Sequence, residues 1–122
     1  MASFDQTSVK RADDAVNLAR SKRNEIETQS QQASAAAQKK IDEAEIARTA
    51  ASQEVKAAEG SGNAETIEIA KRKLSEAEAE VTRVTQAKAQ QELDFEAKLA
   101  AADTEIATAR SERIKVLKNY RN

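Results

Sequence analysis

Apolar residues recur at alternating steps of three and four through both halves of this 122-residue chain, and no proline interrupts them. That period places one stripe along a helix, the seam against which a second helix packs. In the first half the stripe runs through Val9, Ala12, Val16, Ala19, Arg23, Ile26, Ser30, Ala33 and Ala37. It resumes after a slip at Ile41, Ala44, Arg48, Ala51, Val55 and Ala58. In the second half it runs through Ile67, Ala70, Leu74, Ala77, Val81, Val84, Lys88, Gln91 and Phe95. After a similar slip come Leu99, Ala102, Ile106 and Ala109, with Ile114 beyond them. The two slips read as stutters, which locally unwind a supercoil.

The pattern breaks once, at Glu59–Asn63, where both glycines of the chain sit. A glycine just past a helix end closes the last turn in the left-handed conformation. Asn63 suits the cap of the following helix, because its side-chain oxygen can accept an amide of the first turn. Ser3 and Gln6 have the spacing of a capping box at the chain start. The expectation is two helices, about 4–59 and 64–120, joined by a turn at 60–63 in a single domain over 1–122.

A turn this short makes the helices antiparallel neighbours. The expected fold is therefore all-α, two long helices forming an antiparallel coiled-coil hairpin that packs into a higher-order helical bundle or assembly. With the chain folding back at residue 61 or 62, Val9 faces Ile114, Val16 faces Ile106, Ile26 faces Phe95, Ile41 faces Val81, and Val55 faces Ile67. Leu74 and Leu99 complete the large seam residues, Ser30 faces Gln91, and Arg23 lies near Leu99 and Lys98.

The hairpin is expected to need help. Eighteen Val, Ile and Leu side chains are few against the backbone entropy of 122 residues. Leu18, Ile46, Ile69 and Leu93 lie off the seam, and with nearby alanines they read as a face for a partner, either a second hairpin or another protein.

Composition bears on chemistry mainly by exclusion. With no Cys and no His there is no disulfide, no thiolate and no ordinary zinc, copper or haem ligand set. The usual triad base is missing, and two glycines cannot build a phosphate-cradling loop. An aromatic content of 2% gives no base-stacking platform. Glu76, Glu78 and Glu80, like Glu92, Asp94 and Glu96, alternate along a helix and point in different directions, as a solvated face does. Ser21 beside Lys22 and Ser75 near Lys73 read as surface positions. The expectation is a non-enzymatic protein with no catalytic residue, cofactor, metal site or small-molecule substrate. Disorder is the rival reading, but 20 basic against 21 acidic side chains and a regular apolar stripe favour helix.

Charge is unevenly spread. Residues 42–80, around the turn, hold ten acidic against five basic side chains. The two chain ends are basic, through Lys10, Arg11, Lys22 and Arg23 and through Arg110, Arg113, Lys115, Lys118 and Arg121. A hairpin gathers these into one basic end. Basic residues in a last helical turn favour the dipole, which leaves those of 10–23 unexplained. Two functional readings follow: docking on an acidic protein surface, including another copy's tip, and contact with nucleic acid through these residues and Arg20. The second has no groove-binding motif and no aromatic apart from Tyr120, so a protein partner is favoured. Val116, Leu117 and Tyr120 would contribute to such a contact, and Ile114 and Leu117 can share one helical face flanked by Arg113, Lys115 and Lys118, which suits a helix laid in a groove.

The N-terminus has no apolar signal core and no apolar run approaches a membrane span. The chain is expected to be soluble, in the cytoplasm or within an assembled particle. In composition and helical architecture it resembles small structural, scaffolding or accessory proteins of bacteriophage particles. It is also similar to other two-helix rods, such as export stalks and receptor-binding hairpins of bacteriocins. That resemblance implies a self-associating coiled-coil rod within a larger complex such as a virion. The alternative is a binding module that presents its tip or basic end to a receptor, an export component or nucleic acid.

Overall fold

The computed structural model describes the backbone of residues 6–121 and the side chains of residues 7–119. The chain forms α1 (Gln6–Ser61) and α2 (Ala64–Arg121), packed against each other as a helical hairpin, with no strand among the described residues. The expected capping box of Ser3 and Gln6 lies outside the described side chains.

Local chemistry supports both helices. Alanine has the highest helix propensity, and straight-chain Glu, Lys, Gln and Arg lose little rotamer freedom in a helix. Ion pairs one turn apart join Arg23 to Glu27 at 2.8 Å, Arg72 to Glu68 at 3.5 Å and Lys88 to Glu92 at 3.6 Å. The hydroxyls of Thr49, Thr82 and Thr104 donate to the carbonyls of Glu45, Glu78 and Ala100, so these three threonines are satisfied by their own helix.

The turn is tighter than expected and sits later. Gly60 and Ser61 belong to α1, and Gly62 alone takes the left-handed conformation, with φ of 70°. The Gly62 amide donates to the Glu59 carbonyl at 3.3 Å, and the Ser61 hydroxyl donates to the Ala58 carbonyl at 2.5 Å. Asn63 caps α2: its Oδ1 accepts from the amides of Glu65 at 3.0 Å and Thr66 at 3.2 Å. The amide of Ile67 then donates to the Asn63 carbonyl, which opens the regular helical ladder.

The helix pair divides into two compact units, one of residues 32–92 around the turn and one of residues 1–31 with 93–122. In the turn unit the core is two small clusters. Ile41, Ala44 and Val84 form one, with Val81 packed against it. Val55, Ala58 and Ala70 form the other, with Ile67 and Leu74 against it. Ala51 is also buried, whereas Arg48, expected on the seam, is exposed. In the terminal unit the buried residues are Val16, Ala19, Ala102 and Ile106. Val9, Ile26, Phe95, Leu99, Val116 and Leu117 are half-buried. No described polar side chain is buried, and even the core residues retain 5–8% exposure. Alanine supplies the larger share of the core, which lets the helices approach closely and keeps the buried apolar volume small.

The later turn changes the expected pairing. In the terminal unit Arg23 reaches Asp103 at 2.6 Å rather than the level of Leu99, and Arg113 bonds Asp13. In the turn unit Lys88 donates to Gln38 at 2.8 Å, and Lys73 approaches Glu54 at 4.0 Å. Each of these charged partners lies about one helical turn beyond its expected place, while Ile41 and Val81, and Val55 and Ile67, expected opposite each other, do share their clusters. This register puts Ile26 level with Leu99 and Phe95 level with Ser30, in place of the expected Ile26–Phe95 layer. It also displaces Ile114, expected opposite Val9, from the seam. Ile114 is 51% exposed, and the seam passes from Ala109 by way of Arg113 to the half-buried Val116 and Leu117.

Phe95 tests this register. Its ring is half-buried, with Lys98 Nζ 5.0 Å from the centroid. A fully buried Phe95 stacked on Ile26 would lose ~3–5 kcal/mol on truncation to alanine. Half-buried beside a serine level, Phe95→Ala should cost about 1–2 kcal/mol. Denaturant unfolding of the full chain measures the difference, and a loss at the larger value would restore the Ile26–Phe95 layer.

Candidate functional site

The charged residues of the two chain ends do not form a uniform basic surface. Arg23, in α1 and two-thirds buried, bonds Asp103 across the pair and Glu27 along its own helix. The Asp103 hydrogen bond and charge, helped by Glu27, raise the Arg23 guanidinium above its ordinary range. Arg113 is held by Asp13, and Lys115 lies 3.4 Å from Glu112. These three expected members of the basic end are therefore compensated within the unit. Lys10, Arg11, Lys22, Arg110 and Lys118 are exposed and make no ion pair with the described residues, and Arg20 joins them. The side chain of Arg121 lies outside the described residues.

A groove runs between the helices of this unit. From α1 it is lined by Asp13, Val16, Asn17 and Arg20, and from α2 by Arg110, Arg113 and Ile114. Val16 is buried and forms an apolar floor, and the exposed part of Ile114 forms an apolar edge. Because Asp13 already bonds Arg113, the uncompensated charge belongs to Arg20 and Arg110. The expected basic end named Arg110 and Arg113 but not Asp13 or Asn17. Their place in the groove follows from the register, which the chain sequence leaves open by a turn.

The off-seam apolar residues are exposed: Leu18, Ile46, Ile69, Leu93 and Ile114, with Ile46 the most exposed at 70%. Within the turn unit, Ile46 projects from α1 into a shallow groove bounded by α1 residues alone, including Asp42, Glu45, Thr49 and Ala50. Ile69 of α2 takes no part in it.

Elsewhere the charge is locally balanced. Arg83 and Glu80 form a bidentate pair at 2.9 and 2.5 Å, which lowers the Glu80 carboxyl and raises the Arg83 guanidinium. Among the described residues no three carboxylates converge in a way that could cage a metal ion. No described helix is long and apolar enough to cross a membrane. Compared with protein-family profiles, curated proteins and solved structures, the chain matches none.

Proposed function

We propose that this chain is a non-enzymatic structural protein, a coiled-coil hairpin that self-associates within a larger assembly. The observation that supports the reading is the thinness of the core. Its buried residues are alanine, valine and isoleucine, none fully closed to solvent, while five isoleucine and leucine side chains remain 46–70% exposed. A helix pair buries one narrow stripe from each helix, and most helical stability in proteins comes from such packing. Further copies or other subunits would cover the exposed isoleucines and leucines and add the missing burial. An ordered particle such as a virion is the setting that the resemblance to phage structural proteins favours.

A second reading has its own support in Lys10, Arg11, Arg20, Lys22, Arg110 and Lys118, which are exposed and form no ion pair with the described residues. On that reading the hairpin is a monomeric module that offers its basic end to a receptor, an export component or a nucleic acid.

Sedimentation velocity of the full chain over a wide concentration range separates the two. Self-association gives a mass above that of one 13.3 kDa chain that grows with concentration, with a rising thermal midpoint in parallel. A single monomeric species at every concentration, with a midpoint that does not move, would overturn the structural reading and favour the binding module.

A further inference from the structure

The groove of the terminal unit and the Ile46 surface of the turn unit are complementary in two respects. The groove offers two uncompensated guanidiniums, Arg20 and Arg110, beside an apolar floor and edge, Val16 and Ile114. The Ile46 surface offers an exposed isoleucine with Asp42 one turn before it and Glu45 adjacent. Neither carboxylate is in a described ion pair; Asp42 accepts one hydrogen bond from Gln38, at 2.9 Å. Arg48 and Gln53 border the same surface further along α1.

We propose that the Arg20–Arg110 groove of one copy docks the Asp42–Ile46 segment of α1 from a second copy. Ile46 packs on Ile114 and Val16, and Asp42 and Glu45 pair with Arg20 and Arg110. The inference rests on the self-association reading and gives it a specific interface. Arginine suits this role because its planar fork binds carboxylates bidentately and keeps its charge when partly desolvated. A phosphate backbone fits less well. It would gain nothing from Ile114 and would find no aromatic side chain among the groove residues. The donor and acceptor surfaces are at equal concentration because both belong to the same chain.

Sedimentation of four full-length variants tests the interface. R20E/R110E and D42K/E45K should each weaken self-association about tenfold or more, by setting like charges against each other. The quadruple variant R20E/R110E/D42K/E45K should recover most of the loss, because both surfaces reverse together. I46Q should weaken association without changing its salt dependence. Circular dichroism checks that each variant keeps its helix content, and the two double variants lie on different surfaces, so misfolding of one leaves the other informative. Should the wild type associate while both double variants associate equally well, this interface is wrong and self-association stands. A wild type that stays monomeric removes both. Fluorescently labelled DNA bound by the wild type and lost in R20E/R110E, with no change in mass, would assign the groove to nucleic acid and overturn the proposal.

Discussion

Val55→Asp should destabilise the hairpin by about 4 kcal/mol or more and lower its thermal midpoint steeply. Val55 is buried in the cluster with Ala58 and Ala70, against Ile67 and Leu74. Aspartate there loses the valine contacts and brings a charge into a site without a polar partner. The neighbours on its own helix make matters worse, since Glu54 is adjacent and Glu59 lies one turn on. A thick core can spread such an insult over several layers. Here there are two helices and no third element to repack among the described residues, so the cost falls on one layer. The matched control is Ala57→Asp, which puts the same charge two residues away at an exposed position. It should cost under about 1 kcal/mol, mostly from helix propensity. Thermal and denaturant melts at one fixed protein concentration compare the pair. Equal losses for the two variants would mean that helix propensity, and not the seam, holds the structure together.

The helical hairpin is legible in the sequence because its determinants are local. Alternating three- and four-residue spacing defines the stripe, the absence of proline lets each helix run on, and a Gly-Ser-Gly-Asn segment supplies both a helix stop and a cap. The register is less legible, because Gly60 and Gly62 are chemically alike and either could end α1. The structure ends it at Gly62, with Ser61 closing the last turn through the Ala58 carbonyl. That choice moves the charged cross-helix pairs by about one turn, while Ile41 still shares a cluster with Val81 and Val55 with Ile67. Ile114 leaves the seam, Arg113 finds Asp13, and Arg23 finds Asp103. The basic end is accordingly broken into compensated and free charges, a distinction that net charge per segment does not carry. The off-seam isoleucines and leucines are readable as exposed, but what covers them is a property of another surface, and one chain's periodicity does not encode it.

The turn supplies the second large effect, and it separates two glycines that look equivalent. Gly62 has φ of +70° and open space around its would-be Cβ, so a substitution there is penalised by backbone conformation and not by a clash. The left-handed conformation costs an ordinary residue roughly 1–2 kcal/mol, and more when it is β-branched. Asn63→Ala removes the acceptor for the Glu65 and Thr66 amides, worth about 1 kcal/mol. The double variant Gly62→Val/Asn63→Ala should therefore lose about 3 kcal/mol, less if the two strains relax together. Gly60 is helical and meets nothing within 4 Å of an added Cβ. Gly60→Ala should stabilise the chain by about 0.5–1 kcal/mol, through helix propensity and a less flexible unfolded state. Opposite signs at two positions separated only by Ser61 follow from the left-handed residue being Gly62. If Gly60→Ala destabilised the hairpin and Gly62→Val did not, α1 would end two residues earlier, and the register would revert to one that sets Ile26 against Phe95.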